Sequence, residues 1–385
     1  MKEKKNINVF NLLKDNKLPT PPEIMDYLNQ RVIGQDEVKK RLSVAIYNHY
    51  KRVLSNLTNI NVGEELNEIE IDKSNIILNG PTGSGKTFII KNIAKMLGVP
   101  CHIHDCTKLT QAGYVGEDVE NILTGLLQEC DYNIPKAEIG IVCLDEIDKI
   151  AIRGENMSIT RDVSGEGVQQ SLLKIIEGDV VGVMPQGGRK HPEQELIPVN
   201  TSNILFIGMG AFVGLEKIVE ERLNTYNNNH THIGFSMNYK NQNDELEEYE
   251  MSEDILDEVI PMDLKKFGLI PELIGRFPII THTKKLTKED MVKIIKEPKN
   301  CILKQYQKLF ALDGKKLIFD DKCLELIAET AITSETGARG IRGIMETILL
   351  DYMFDSVKHK DKEIKISEEY SKTKLNKLLK IKKAV

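Results

Sequence analysis

A chain of 385 residues, 41% hydrophobic and 29% charged, has room for two or three ordinary globular cores, and no apolar run approaches the ~20 residues of a membrane-spanning helix. Its formal net charge of −6 offers nucleic acid no general attraction. The six cysteines include no C-x-x-C pair and nothing suggests secretion, so free thiols in a cytoplasmic protein are expected.

The Lys- and Asn-rich stretch 1–18 lacks the apolar core of a signal peptide and reads as a flexible leader, closed by Pro19, Pro21 and Pro22. A helical pattern follows, breaks at Val32-Ile33-Gly34-Gln35, and resumes through Val38, Leu42, Ala45 and Ile46 to Tyr50. The polar segment 56–71 reads as a loop. Ile76-Ile77-Leu78 then predicts a buried strand, followed by Gly80-Pro81-Thr82-Gly83-Ser84-Gly85-Lys86-Thr87 and a helix to about Leu97. In that strand–turn–helix context, G-x-x-x-x-G-K-[ST] is a phosphate cradle. The glycines let backbone N–H groups turn inward, and the helix N-terminus adds its positive end. Lys86 can reach the β- and γ-phosphates, and the Thr87 hydroxyl can bind Mg²⁺. The competing reading, a glycine-rich turn with a chance lysine, does not explain the flanking strand and helix. A nucleoside triphosphate ligand is expected.

Next comes Cys101-His102-Ile103-His104-Asp105-Cys106. Strand alternation would put His102, His104 and Cys106 on one face, but no fourth ligand is near, so a strand with satisfied polar groups is expected. Gly113-Tyr114-Val115-Gly116 by itself favours a tight turn with the tyrosine packed inward. A helix is expected over Val119 to Leu127. Ile141-Val142-Cys143-Leu144-Asp145-Glu146 is an apolar strand ending in two carboxylates, with Asp145 58 positions after Thr87. It should lie beside the phosphate loop with its C-terminal end facing the γ-phosphate, Asp145 holding Mg²⁺ and Glu146 orienting the attacking water. Gly187-Gly188-Arg189-Lys190-His191-Pro192 is a basic loop, exposed on the simplest reading. Ile204 to Ile207 is another apolar strand. Continuous apolar strands alternating with helices indicate a parallel sheet covered on both faces.

Arg276, in Leu269–Pro278, and Arg339, in Gly337–Gly340, taken singly read as surface ion pairs. The texture changes near Thr281, which places a domain boundary at 281–286. Thr287-Lys288-Glu289-Asp290 has capping-box form and opens a helix with Met291, Ile294 and Ile295 inward. The chain then stays mostly helical to a basic last helix carrying Leu375, Leu378 and Leu379. The expected fold class is α/β. A large domain (19–282) with helices on both faces of a parallel sheet precedes a smaller, mostly helical α+β domain (283–385).

Together these residues resemble the ClpX family, the AAA+ unfoldases of the Clp protease, from about Thr20 to Val357. The fit is carried by GYVGEDVEN (Gly113–Asn121), SITRDVSGEGVQQ (Ser158–Gln170), QGGRKHP (Gln186–Pro192), FGLIPELIGR (Phe267–Arg276) and GARG (Gly337–Gly340). The resemblance implies that Val32 and Ile33 pack on adenine and that Tyr114-Val115 is a pore loop gripping polypeptide. It implies that Arg189-Lys190-His191 ring the pore entrance and select substrate tags. Arg276 would be an arginine finger on a neighbouring subunit's ATP, and Arg339 a small-domain sensor of nucleotide state. Ile233-Gly234-Phe235, in a polar loop near 225–250, would dock on the ClpP peptidase. The implied particle is a homo-hexamer that uses ATP and Mg²⁺ on unfolded or tagged proteins, with no nucleic-acid or membrane partner. The family usually begins with a four-cysteine zinc module; no cysteine precedes Pro19, so zinc is not expected. Two other readings stand. One is an HslU-like unfoldase, whose large inserted domain has no room between Thr87 and Asp145. The other is a peptidase-independent AAA+ remodelling chaperone.

Overall fold

The computed structural model describes residues 18–57, 63–110, 117–152, 165–185, 195–231, 254–334, 336–355 and 362–382. In chain order, α1 (Pro21–Asn29) and α2 (Asp36–Leu57) precede β1 (Ile76–Asn79), α3 (Lys86–Leu97) and β2 (Cys101–Asp105). There follow α4 (Asn121–Gln128), β3 (Ile141–Asp145), α5 (Glu166–Ile176), the strands β4 (Val180–Val183) and β5 (Ile197–Asn200), and β6 (Leu205–Gly210). Then come α6 (Leu215–Thr231), α7 (Pro261–Phe267), α8 (Pro271–Gly275) and β7 (Ile279–His282). The remainder is α9 (Lys288–Lys296), α10 (Ile302–Leu312), β8 (Lys316–Phe319), α11 (Asp321–Thr333), α12 (Gly340–Phe354), β9 (Glu363–Ile366) and α13 (Glu368–Lys382). The described residues pack as two units. One holds those of Ala45–Asn79 and Leu97–His282; the other holds those of Pro19–Val44, Gly80–Met96 and Thr283–Val385.

The first unit is built on a five-stranded sheet in the order β2-β3-β6-β1-β7, every pairing parallel. Parallel strands are buried on both faces, which is why Ile76 to Leu78, Ile141 to Leu144 and Leu205 to Ile207 run apolar without alternation. Each fully buried Ile, Leu or Phe contributes roughly 1.5–3 kcal/mol relative to exposure. In this order β6 lies between β3 and β1. β6 is slim at its end. A Cβ on Gly208 would come 3.1 Å from Ile147, and one on Gly210 would come 2.5 Å from Asp148. The turn after β3 can therefore close over β6 only because those positions lack side chains.

Three differences from expectation are local. The segment 56–71 is not all loop: Glu64–Asn67 forms one helical turn, its Leu66 and Asn67 amides bonded to the Gly63 carbonyl. β2 ends at Asp105, so Cys106 starts a 3₁₀ turn and does not share a strand face with His102 and His104. β4 and β5 pair as an antiparallel ribbon that the sequence did not announce.

The second unit buries Met291, Ile295, Tyr306, Phe310, Leu324, Ile327, Ile348 and Leu349 in one core, sealed by the parallel pair β8–β9 and by Leu375 of α13. Its entry is the expected capping box. Thr287 Oγ1 accepts from the Asp290 amide at 3.1 Å, and the Asp290 carboxylate accepts from the Thr287 amide at 3.1 Å.

Helix α4 lies against β2 at Gly125, where a Cβ would sit 2.2 Å from the His102 ring. Alanine elsewhere in a helix gains about 1 kcal/mol over glycine. Here Gly125→Ala is expected to lower stability by about 1–3 kcal/mol through crowding against a rigid ring. The urea midpoint should fall at unchanged m-value; a midpoint at or above that of the parent chain contradicts this packing.

Candidate functional site

The C-terminal end of β1 runs straight into the glycine loop. Gly80, Gly83 and Gly85 all hold positive φ, at 135°, 80° and 100°, a backbone that L side chains rarely adopt. At Gly85 a Cβ would meet no atom within 4 Å, so backbone conformation alone demands glycine there. Gly80 is also crowded: a Cβ would come 2.2 Å from Thr283 Oγ1. Ser84 ties the loop closed, donating to the Pro81 carbonyl at 2.7 Å and sharing a 2.6 Å hydrogen bond with the Thr283 hydroxyl. Lys86 and Thr87 open α3, and the Lys86 ammonium donates to the carbonyls of Gly80 and Pro81 within the loop. Alternating left-handed glycines feeding a helix N-terminus form a nest of inward N–H groups, and this arrangement fits a polyphosphate and a Thr87-bound Mg²⁺.

Two other predicted segments belong to the same unit as this loop. The 3₁₀ turn Gly337–Arg339 abuts it: Gly337 has φ +56°, the Ala338 amide donates to the Gly83 carbonyl at 3.4 Å, and a Cβ on Gly83 would come 2.9 Å from the Thr336 carbonyl. Arg339 is thereby placed two residues from a phosphate-loop glycine, with its own side chain exposed. Val32 is buried and Ile33 half-buried just before a left-handed pair, Gly34 and Gln35. That bend is pinned by Gln35, whose amide donates to the Lys284 carbonyl at 2.7 Å and accepts from the Lys284 amide at 2.8 Å.

In the sheet-bearing unit, Asp145 is the last residue of β3, and Glu146, exposed, follows in the left-handed conformation at φ 57°. A non-glycine residue held there costs roughly 1–3 kcal/mol and is concentrated at functional positions. Its amide bonds the Asp145 carboxylate at 3.1 Å, so the two side chains diverge from one corner. Because β1 and β3 are parallel members of one sheet, Asp145 and the strand end that feeds the phosphate loop occupy the same sheet edge.

Arg276 sits at the opposite edge, after α8 and before β7. Its backbone carbonyl accepts from Asn75 Nδ2 at 2.8 Å, and its guanidinium pairs with Glu177 at 2.9 Å. The sequence did not single out Asn75, Glu177 or Gln169. Gln169 is fully buried in α5: it donates to the carbonyls of Ile150 (2.9 Å) and Gly268 (3.2 Å) and accepts from the Ile270 amide (2.8 Å). One amide thus joins the turn after Asp145-Glu146 to the segment that leads to Arg276. Its signal was present, since Gln169, Leu172 and Ile176 share helical spacing and a glutamine holds an apolar position.

The ring nitrogen of His104 lies 3.6 Å from the Glu117 carboxylate, and burial first of all holds both His102 and His104 below the ordinary imidazole range. Among the described residues no group of three or more His, Cys, Asp or Glu side chains could hold a metal ion. Tyr114-Val115, Arg189-Lys190-His191 and Ile233-Gly234-Phe235 lie outside the described residues.

Residues 71–280 match the family model described as the AAA domain (Cdc48 subfamily), and residues 286–368 match that of the C-terminal, D2-small domain of ClpB protein. A ClpX of Bacteroides thetaiotaomicron, described as an ATP-dependent Clp protease ATP-binding subunit, is 52% identical over 94% of this chain and 83% of its own length. The same-named protein of Porphyromonas gingivalis is 51% identical over 95% and 85%, and that of Treponema denticola 53% over 88% and 78%.

A methyl group at Gly83 would strain a φ of +80° and press on the Thr336 carbonyl. Gly83→Ala is expected to weaken binding of a fluorescent ATP analogue at least tenfold, equivalent to about 1.4 kcal/mol. Unchanged affinity in a titration would remove the loop from the nucleotide site.

Proposed function

Because the chain belongs to the ClpX family of AAA ATPases, we propose that Lys86, Thr87, Asp145 and Glu146 of one subunit form the hydrolytic half of an ATP site that a neighbour's Arg276 completes. The chain is an ATPase of the Clp-protease unfoldase type. What supports the site assignment is that β1 and β3 are parallel strands of one sheet, the first followed in sequence by left-handed glycines and the second ending in a strained carboxylate corner.

In this reading the backbone N–H groups of Gly83 to Thr87 bind the phosphates, and Lys86 transfers its hydrogen bonds from the loop carbonyls to them. Thr87 and Asp145 would hold Mg²⁺, which would supply neutralisation of phosphate charge. Glu146 orients the attacking water and polarises its O–H. Arg276 enters from the neighbouring subunit to stabilise transition-state charge, a contribution on the order of 10³- to 10⁵-fold in comparable enzymes. Val32 and Ile33 flank the adenine. Arg339, carried on a turn whose Gly337 touches Gly83, reports nucleotide state to the small domain, taken as 283–385.

The reading extends to a homo-hexamer working in the cytoplasm on tagged or unfolded proteins. Tyr114-Val115 would grip the chain, Arg189-Lys190-His191 would select tags, and Ile233-Gly234-Phe235 would dock on ClpP. No helix among the described residues is long and apolar enough to cross a membrane.

Glu146→Gln is expected to bind ATP within a few-fold of the parent chain while kcat falls on the order of 10²- to 10⁴-fold. Brisk steady-state hydrolysis would exclude Glu146 from the chemistry. With purified ClpP and a tagged folded substrate, Phe235→Ala should abolish degradation while ATP-dependent unfolding persists, and Tyr114→Ala should abolish both while ATPase activity remains. Degradation at the parent rate by Phe235→Ala would favour the peptidase-independent chaperone.

A further inference from the structure

Arg276 can act on a neighbour's nucleotide only if its guanidinium is presented in one direction from a fixed backbone. The backbone is fixed. Asn75, 1% exposed at the head of β1, donates to the Arg276 carbonyl at 2.8 Å and accepts from the Phe206 amide at 3.2 Å. The Arg276 amide itself bonds the Leu273 carbonyl at 3.0 Å. The side chain is another matter, because half of it is solvent-exposed and four rotatable bonds separate the guanidinium from that anchor.

We propose that Glu177 is the positioning residue of the trans arginine. Among the described residues it is the carboxylate within ion-pair distance of Arg276, one oxygen accepting from Nη2 at 2.9 Å. Its own backbone is held. The Glu177 amide closes the last turn of α5 on the Leu173 carbonyl at 2.9 Å. One residue earlier, the Ile176 carbonyl accepts from the Lys73 ammonium at 3.1 Å, and the same ammonium donates to Thr201 at 2.9 Å. Carboxylate and arginine therefore extend from two anchored points. A single-oxygen contact occupies one N–H of a planar fork that has five, so the others remain for a phosphate oxygen. The pair is open to water and contributes little to folding, which leaves orientation as what it supplies.

This inference rests on the trans role of Arg276, so the experiment keeps the two apart. Full-length Glu177→Ala, Glu177→Gln, Arg276→Ala and the double variant Glu177→Ala/Arg276→Ala are assayed for steady-state ATP hydrolysis. Glu177→Ala is expected to lower kcat about tenfold with KM within twofold of the parent chain. Glu177→Gln keeps an acceptor oxygen and should recover most of that loss. Arg276→Ala should lower kcat on the order of 10³-fold. The double variant should match Arg276→Ala alone, because Glu177 acts only through the arginine. If both singles lose activity and the double falls by their product, or if Glu177→Ala retains parental kcat, the positioning role is overturned while the trans arginine stands. If Arg276→Ala retains parental kcat, the trans reading falls and this inference with it.

Discussion

The side-chain amide of Asn75 holds the start of three parallel strands together. Parallel strands enter a sheet with unpaired groups at their N-terminal edge, and a buried group left unpaired there costs about 1–3 kcal/mol. Asn75 uses both ends of its amide, giving a hydrogen bond to the Arg276 carbonyl ahead of β7 and taking one from the Phe206 amide of β6. Its backbone carbonyl accepts from the Ile279 amide at 3.4 Å. β6 and β7 are thus registered on either side of β1 from a single residue. The far end of β1 has one exit, into the glycine loop. The strand end that feeds the glycine loop and the backbone that carries Arg276 are set by the same short strand.

Helix α5 performs the corresponding task for the carboxylates. Gln169, near its start, ties the Ile150 carbonyl to the segment Gly268–Ile270, and Glu177, just past its end, meets Arg276. The approach is close enough that a Cβ on Gly268, which has φ +115°, would come 2.3 Å from the Ile152 carbonyl. A buried amide satisfied at both ends resists sliding, because any displacement strands polar groups in a dry interior. The turn after Asp145-Glu146 and the segment that leads to Arg276 are therefore tied to one helix. In the reading proposed above, that gives the Asp145-Glu146 corner and Arg276 of one subunit a physical basis for changing together.

Much of this is legible in the sequence. The loop Gly80–Thr87 was readable because glycine spacing and a following lysine are local properties, and β1, β3 and β6 because burial on both faces leaves continuous apolar runs. The Thr287–Asp290 cap was readable for the same reason. The pairs β4–β5 and β8–β9 and the strand β7 were not, since four-residue strands such as Ile279–His282 and Glu363–Ile366 carry too few residues to show a period. The sheet order was not readable either. It depends on Gly208 and Gly210 letting the turn at Ile147–Asp148 lie over β6, and such glycines look ordinary in a string of letters.

The positioning residues escaped for a different reason. Lys86 and Glu146 are recognised by chemistry within a motif, whereas Asn75, Gln169 and Glu177 act on partners 201, 101 and 99 positions away. Their chemistry is ordinary, and only the fold says what each amide or carboxylate touches. Residues that touch nucleotide are constrained by the ligand and recur as motifs. Residues that hold them are constrained by the packing of a particular sheet edge, where an amide is needed because two strands leave an N–H and a carbonyl facing each other. In this chain the first kind points to the reaction, and the second fixes where the strand ends, the carboxylate corner and Arg276 stand.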